Sequence, residues 1–205
     1  MGEVVVESVA GVIYGLAQLV KVVENGGLHK GTFRMSLYVP HRLQNCILRD
    51  FVKSDVQVIA DIEYDADVKK YIGLPDSARA DWVKSFHPDD LRGWAIEAIP
   101  EQTLAGRASI SRPKDPAPFG ILELQIVIAK PFWGRKLGRQ VAAALIQYAF
   151  NDSRTVAVIA QVHPENRAIH LLLEAFSFVP DGTDNSGKRL TFRLDRARYT
   201  SLPQA

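Results

Sequence analysis

The sequence predicts an α+β fold in which helices flank a mixed, mostly antiparallel sheet, with an extra helix at the N-terminus. Apolar runs over 94–99, 104–111 and 121–128 follow one another with only a turn or a loop between them, as antiparallel strands do. Farther along the chain, segments of helical periodicity alternate with apolar strands, which indicates a β-α-β unit. Hydrophobic residues make up 47% of the chain and charged residues 23%, so enough apolar surface exists for a folded core.

The beginning of the chain differs from the rest, and we divide it into a helical extension, 1–34, and a single domain, 35–205. Apolar side chains recur in the extension at three- and four-residue steps, which indicates a helix with one apolar stripe. We expect this helix to pack on its own domain or on a second copy of the chain, which would form a homodimer. Two alternatives stay open, because the β-branched run at 4–6 mildly favours a strand and Met35 could be an alternative start.

Four elements are predicted between the extension and the central strands. They are a strand over 46–49 and helices over 54–64, 65–73 and 78–86. Ser54 and Asp55 can cap the first helix, because their side-chain oxygens accept hydrogen bonds from unpaired N–H groups of its first turn. Gly73 and Pro75 end the second helix, and Pro88 ends the third.

A hairpin comes next, and a strand-helix-strand unit follows it. A turn at 100–103 joins the hairpin strands, and the proline-rich stretch 112–120 is a loop. The later elements are a strand over 121–128, a helix over 138–150, a strand over 156–162, a helix over 168–176 and a final strand over 190–194. Antiparallel pairs therefore come first and a crossover comes later, which predicts a mixed sheet rather than a doubly wound one.

Composition and charge exclude several classes of protein. The net charge is only +2, whereas a duplex-DNA binder usually carries a strong basic excess. A single cysteine, Cys46, excludes an internal disulfide, and the five histidines lack the close spacing of a zinc site, so we expect no metal. The uncharged stretch 8–20 is shorter than the roughly 20 residues that span a bilayer. Because Glu3 and Glu7 stand where a secretory signal is basic, we expect a cytoplasmic protein.

The segment most informative about function leads from the third long strand into the following helix. Gly134 and Gly138 flank the turn, and glycine lets the backbone approach a ligand closely. The first turn of a helix has unpaired N–H groups and a dipole that favours an anion, and Arg135, Lys136 and Arg139 add positive charge there. A phosphate or pyrophosphate group would fit this turn. The alternative is a glycine turn with solvated basic residues, and the spacing matches neither a Walker loop nor a dinucleotide fingerprint.

This passage resembles the acetyl-CoA pyrophosphate loop of the GNAT N-acetyltransferase superfamily, whose Arg/Gln-x-x-Gly-x-Gly/Ala pattern falls on 133–138. Farther along, 162–168 resembles the family's Val-x-Pro-x-Asn segment, and the two stretches occur in the family's order and spacing. The resemblance covers about 46–195. Within the family it points to the ribosomal-protein alanine and serine acetyltransferases, where Trp-Gly opens the loop as Trp133 and Gly134 do here.

The resemblance implies an N-acetyltransferase that transfers the acetyl group of acetyl-CoA to a primary amine, such as a protein N-terminus or a small amine. The residues that it assigns to acetyl-CoA lie on the strand end, the loop and the helix start, with one asparagine beyond: Ile126, Val127, Ile128, Trp133, Gly134, Arg135, Lys136, Leu137, Gly138, Arg139 and Asn166. Asn166 would hold the pantetheine arm, and it could cap its helix as well.

Three residues are candidates for the base that deprotonates the amine. The family transfers acetyl directly from thioester to amine, so it needs a base and a main-chain donor that polarises the carbonyl, but no side-chain nucleophile. Glu123 matches an acidic position of the related branch. Glu97 and His163 are the other two, and each of the three has an ordinary structural alternative, such as an exposed strand carboxylate or a loop-capping histidine. Cys46 is accordingly expected to be structural.

Several positions depart from the family pattern and bear on cofactor affinity. Lys136 occupies the place of the first motif glycine, Gln125 stands where this branch often has glycine, and Ile169 replaces a small residue. These departures keep open a non-catalytic acyl-CoA-binding or interaction protein of the same fold. A toxin-type enzyme that acetylates aminoacyl-tRNA is a third reading, which the net charge does not support. Its basic groove would comprise Arg135, Lys136, Arg139, Arg193, Arg196 and Arg198.

Overall fold

A computed structural model describes residues 41–74, 93–113 and 117–202. The N-terminal extension and the helix predicted over 78–86 lie outside the described residues. The strands are β1 (His41–Arg42), β2 (Cys46–Arg49), β3 (Trp94–Ala98), β4 (Thr103–Ser111), β5 (Ile121–Ile128), β6 (Ala157–Val162), β7 (Val179–Thr183) and β8 (Leu190–Asp195). The helices are α1 (Asp55–Tyr64), α2 (Ala66–Ile72), α3 (Leu137–Asn151), α4 (Arg167–Ala175) and α5 (Arg196–Thr200), and a 3₁₀ turn covers Lys130–Phe132.

The eight strands form one mixed sheet in the order β1-β2-β3-β4-β5-β6-β8-β7, which confirms the predicted fold class. Elements predicted within the described ranges are present, and their ends differ from the prediction by no more than a residue. The prediction missed β1, β7, the 3₁₀ turn and α5. β7 is an edge strand that contains Pro180 and Gly182 and an irregular register, so its sequence resembles a turn more than a strand.

The pairing of the central strands opens the sheet on one side. β5 pairs with β4 from Glu123, opposite Ser111, to Ile128, opposite Gly106. Its parallel pairing with β6 stops early, because the last partners are Glu123 and Ile159. Both strands continue past this point, and β6 stays paired with β8 on its other edge. The sheet therefore divides between β5 and β6.

Helices cover both faces of the sheet beside this division. Val127 packs with Ile62 of α1 and Val68 of α2 in one apolar cluster. On the next residue, Ile128, the side chain lies beside Gly138 of α3. Since successive side chains of a strand point to opposite faces, α1 and α2 lie on one face and α3 on the other. None of the described helices is long and apolar enough to cross a membrane.

The start of α1 differs from the predicted cap. Ser54 precedes the helix with helical backbone angles, and its side chain makes no capping hydrogen bond. Asp55 accepts a bond from the Val52 main chain instead, at 2.9 Å. The start of α2 follows the ordinary pattern, because the Asp65 side chain accepts bonds from two N–H groups of its first turn.

Candidate active site

The division between β5 and β6 holds a cavity of about 440 Å³. Its walls come from the diverging ends of these two strands, from α1, α2 and α4, and from the turn between β7 and β8. Two of the predicted acetyl-CoA residues of β5, Ile126 and Val127, line it directly. The strand edge that faces this cavity has lost its β6 partner, so a ligand lying there can reach main-chain donors and acceptors of β5.

Glu123 lies at the closed end of the cavity, on the last residue pair that joins β5 to β6. It is only 7% exposed, and its carboxylate accepts a hydrogen bond from the Gln125 amide at 3.0 Å. Within the described part of the chain, no lysine, arginine or histidine forms an ion pair with it. A buried carboxylate without a cation beside it is free to take up an ammonium group.

His163 and Asn166 lie at the open end of β6, in the same cavity. Nδ1 of His163 accepts a hydrogen bond from the Glu165 main chain at 3.2 Å, which assigns the proton of the neutral ring to Nε2. The ring meets Tyr71 edge-on, with centroids 6.0 Å apart. Asn166 caps α4, because its side chain accepts a bond from the Ile169 main chain at 3.3 Å. Nδ1 of His163 is therefore already engaged by the main chain.

Glu97 is not brought together with the other two candidate bases. Its carboxylate accepts a hydrogen bond from Nε of Arg49 at 2.7 Å, and the same guanidinium donates two bonds to Asp55, at 2.7 and 2.9 Å. This network joins β2, β3 and the start of α1, away from the cavity. Cys46 is fully buried, and burial raises the pKa of its thiol to about 11, so the thiol stays protonated at neutral pH.

Two residues of the loop before α3 adopt left-handed backbone angles, one a glycine and the other a lysine. Gly134 has φ +76 and open space around it, whereas Lys136 has φ 63 and ψ 10 at the position before the helix. Gly138 lies inside the first turn, where an added Cβ would stand 3.4 Å from Ile128 and 3.8 Å from Leu172. Lys136 thus adopts the conformation that a glycine would occupy with less strain.

Hydrogen bonds from both sides hold this loop. The Trp133 indole donates to the Ile128 main-chain oxygen at 2.8 Å, and the Asn45 side chain donates to the Arg135 main-chain oxygen at 3.2 Å. Arg135 forms an ion pair with Glu101. A second cavity, of about 390 Å³, lies beside the loop and the buried Leu137.

Two further cations, one in the loop and one in the first turn of α3, have no acidic partner among the described residues. Arg139 lies over the Phe176 ring at 6.0 Å, and Lys136 is exposed. Lys136 and Arg139 are therefore the side chains available to a phosphate group here.

Sequence reasoning missed a buried ion pair in the cavity. Glu63 of α1 is 1% exposed and accepts a hydrogen bond from Nε of Arg107 on β4. A signal was present, because a lone arginine inside an apolar central strand needs a buried partner. Within the described ranges, no three histidine, cysteine or carboxylate side chains lie close enough together to bind a metal ion.

A second missed residue, Arg189, connects three walls of the cavity. It precedes β8, and its terminal nitrogens donate to the main-chain oxygens of Gln161, at 3.4 Å, and Ile72. The turn between β7 and β8 is thereby attached to β6 and to the end of α2. The guanidinium stabilises the shape of the cavity and has both terminal nitrogens engaged.

Comparisons with known proteins agree with this geometry. A family model described as an acetyltransferase (GNAT) domain matches residues 45–179. The fold is similar to that of a GNAT-family acetyltransferase from Bacillus anthracis, with a TM-score of 0.60 and 16% identity over 75% of this chain and 96% of that chain. An acetyltransferase from Agrobacterium tumefaciens gives a TM-score of 0.61 and 18% identity, over 76% of this chain and 93% of that one.

A third solved structure is the aminoglycoside acetyltransferase AAC(6')-Ib in complex with coenzyme A. It gives a TM-score of 0.60 and 18% identity, over 75% of this chain and 96% of that chain. At these low sequence identities, the three structural comparisons show similarity of fold alone. A sequence search of curated proteins finds no match.

Proposed function

Because the chain belongs to the GNAT acetyltransferase family, we propose that it transfers the acetyl group of acetyl-CoA directly to a primary amine, either a protein N-terminus or a small amine. The observation that carries this proposal is the division of the sheet beyond Glu123 and Ile159. It provides a cavity with an unpaired strand edge on one side and a buried carboxylate at its closed end.

The loop before α3 supports the binding of acetyl-CoA by its pyrophosphate. Gly134 leaves open space beside the backbone, and the long helix that follows directs its unpaired N–H groups toward the loop. Lys136 and Arg139 supply positive charge without an acidic partner in the described ranges. In this proposal the pantetheine arm lies along 126–128, with Asn166 beside it.

The reaction needs one base and one polarising donor. The ammonium form of the acceptor gives a proton to the base, and the amine nitrogen then attacks the thioester carbonyl carbon. As the tetrahedral intermediate collapses, the C–S bond breaks and a second proton passes from the nitrogen to the departing sulfur, so coenzyme A leaves as a thiol. Glu123 is the base in this proposal, because it is a buried acceptor with no cation beside it among the described residues, whereas Nδ1 of His163 is already engaged by the Glu165 main chain. A main-chain N–H on the free edge of β5 would polarise the carbonyl.

The test is a thiol-release assay with acetyl-CoA and a broad panel of amines, together with calorimetry of acetyl-CoA binding. Binding with thiol release that depends on one class of amine supports the proposal. Binding without release from any amine would indicate the non-catalytic alternative, and co-purification with tRNA would indicate the aminoacyl-tRNA acetyltransferase. No binding at millimolar acetyl-CoA would contradict the proposal.

We also propose a cytoplasmic location for the protein, which fractionation of cells would check.

A further inference from the structure

Two guanidinium groups line the cavity, and they differ in what they offer a ligand. Both terminal nitrogens of Arg189 donate to main-chain oxygens. Arg107 uses only its Nε, which donates to Glu63. Among the described residues, no group accepts a hydrogen bond from the two terminal nitrogens of Arg107. A guanidinium that lines a cavity and keeps its outer nitrogens free is a binding group for an anion.

The ion pair presents its cationic side to the cavity. The Glu63 side chain is 2% exposed, whereas the Arg107 side chain is 18% exposed. Glu63 also borders the cavity, but it is almost wholly buried and its carboxylate orients the guanidinium, which is the more exposed member of the pair. The two free nitrogens of an arginine lie in one plane with a spacing that matches the two oxygens of a carboxylate.

Arg107 also lies on the face from which an amine would reach Glu123. It is paired in the sheet with Val127, whose side chain packs against α1 and α2. Paired residues point to the same face of a sheet, and so do alternate residues of one strand, which places Glu123 on this face as well. Val127 and Glu123 are four positions apart on β5, which is about 13 Å along the strand. The cavity thus has an anion-binding group, Arg107, and a proposed base, Glu123, at two different heights along β5.

We propose that the acceptor carries a carboxylate as well as its amine, and that Arg107 binds this carboxylate. This inference rests on the proposed acetyl transfer and adds the chemical class of the acceptor. A carboxylate fits better than a phosphate dianion, because Glu63 makes the pair neutral and repels a second negative charge. A polycation such as an aminoglycoside would instead bring further ammonium groups against the guanidinium.

The test compares amino carboxylates of increasing chain length, from glycine to 6-aminohexanoate, each with the amide in which a neutral group replaces the carboxylate. For the wild-type protein we expect at least one acid to exceed its amide by roughly 10- to 100-fold in kcat/KM. Arg107→Gln should reduce that ratio to near one, and Arg107→Lys should retain part of it. Equal use of acids and amides by the wild type would overturn the inference.

Three controls make the outcome decisive. Arg154→Lys changes an exposed arginine whose ion pair among the described residues is with Asp152, and it should leave every ratio unchanged. The double variant Glu63→Gln with Arg107→Gln avoids the unpaired buried carboxylate that Arg107→Gln creates, and it should also lose the preference. Arg107 variants that weaken acids and amides equally would overturn the inference, because the guanidinium would then act on structure or on acetyl-CoA.

A binding measurement separates failure of this inference from failure of acetyl transfer. The same acids and amides are titrated in the presence of coenzyme A, and binding is followed by NMR without any turnover. Carboxylate-dependent binding that Arg107→Gln abolishes supports the inference even if no amine is acetylated. Equal binding of the acids and their amides would contradict the inference, and so would a lack of binding by either.

Discussion

Glu123 is the side chain on which the proposed chemistry depends most. Glu123→Gln keeps the shape of the side chain and its contact with Gln125 but removes the base. We expect kcat to fall by roughly 10²-fold or more, with acetyl-CoA affinity nearly intact. The loss should shrink as pH rises, because more of the amine is then already deprotonated. Thiol release measured across the pH range checks this.

The matched control for this prediction is Glu174→Gln, which changes an exposed carboxylate on α4. Its kcat should follow that of the wild type at every pH. If Glu123→Gln also follows the wild type throughout, the base lies elsewhere. His163 and Glu97 are then the next residues to test, although Nδ1 of the first is engaged by the Glu165 main chain and the second is engaged with Arg49.

Lys136 combines a strained backbone with an exposed charge beside a proposed phosphate site. A left-handed conformation costs a residue other than glycine roughly 1 kcal/mol, so Lys136→Gly should raise the free energy of unfolding by up to about that amount. The same change removes a cation and should weaken acetyl-CoA binding several-fold. Urea unfolding and calorimetry measure the two effects separately.

Lys136→Asn separates charge from backbone strain, because asparagine tolerates this conformation and carries no charge. It should weaken acetyl-CoA binding as Lys136→Gly does. Unchanged affinity in both variants would mean that the main chain alone holds the pyrophosphate.

At the scale of elements, α3 connects the proposed phosphate site to the rest of the molecule, and Arg196 stabilises its far end. The guanidinium donates to the main-chain oxygens of Phe150, Asp152 and Thr155 at 3.0, 2.5 and 2.8 Å, and it lies over the Phe150 ring at 5.3 Å. The last carbonyl groups of a helix lack partners within the helix and attract a cation. Arg196 therefore acts as a cap supplied by a distant part of the chain.

Replacing this cap should destabilise the protein without changing its chemistry. Arg196→Lys keeps the charge but cannot reach three carbonyl groups at once, and we expect a loss of about 1–3 kcal/mol in the free energy of unfolding. Arg198→Lys changes an exposed position of α5, the helix that also contains Arg196, and should alter the free energy of unfolding by less than about 0.5 kcal/mol. Equal values for the two variants in urea unfolding would show that the contacts of Arg196 contribute little.

The elements that the sequence predicted are those whose local pattern and tertiary environment agree. β5 was predicted residue for residue, because its apolar run lies inside the sheet and is bounded by a loop and a turn. β7 was missed because Pro180 and Gly182 oppose a strand, and only pairing with β8 forms one. The cap at Ser54 was wrong because Asp55, with its own partners, stabilises that turn.

The candidate site was predictable only where its residues are close in sequence. The loop at 133–138 and the stretch around Asn166 each carry a local pattern. The Glu63–Arg107 pair joins residues 44 positions apart, and the bond from Arg189 to Ile72 spans 117 positions. Such contacts depend on the final packing of α1 and β8 against the sheet, which no short window of sequence encodes.

At the scale of the whole molecule, one ion-pair network couples the helical layer to the sheet. Arg49 of β2 joins Glu97 of β3 and Asp55 of α1. Burial opposes ionisation of Asp55, but the hydrogen bonds from Arg49 and from the Val52 main chain outweigh it and lower the pKa of this carboxyl below its usual value. The folded state therefore binds this proton more weakly than the unfolded state does.

The stability that Asp55 contributes should accordingly depend on pH. It is fully present above the unfolded pKa of about 3.9 and is lost as pH falls through the lower folded value. Asp55→Asn removes the charge, so we expect it to lower the free energy of unfolding by about 1–3 kcal/mol at pH 7. The difference from the wild type should shrink as pH falls below about 4, because the unfolded wild-type carboxyl takes up a proton there, whereas the folded one does so only at still lower pH.

Urea unfolding at pH 7 and at pH 3 measures both parts of this prediction. Asp50→Asn is the matched control, because Asp50 is exposed and its carboxylate forms no ion pair with a described residue. It should change stability little at either pH. A difference between Asp55→Asn and wild type that stays constant with pH would mean that shape and hydrogen bonding, rather than the charge of Asp55, hold α1 against the sheet.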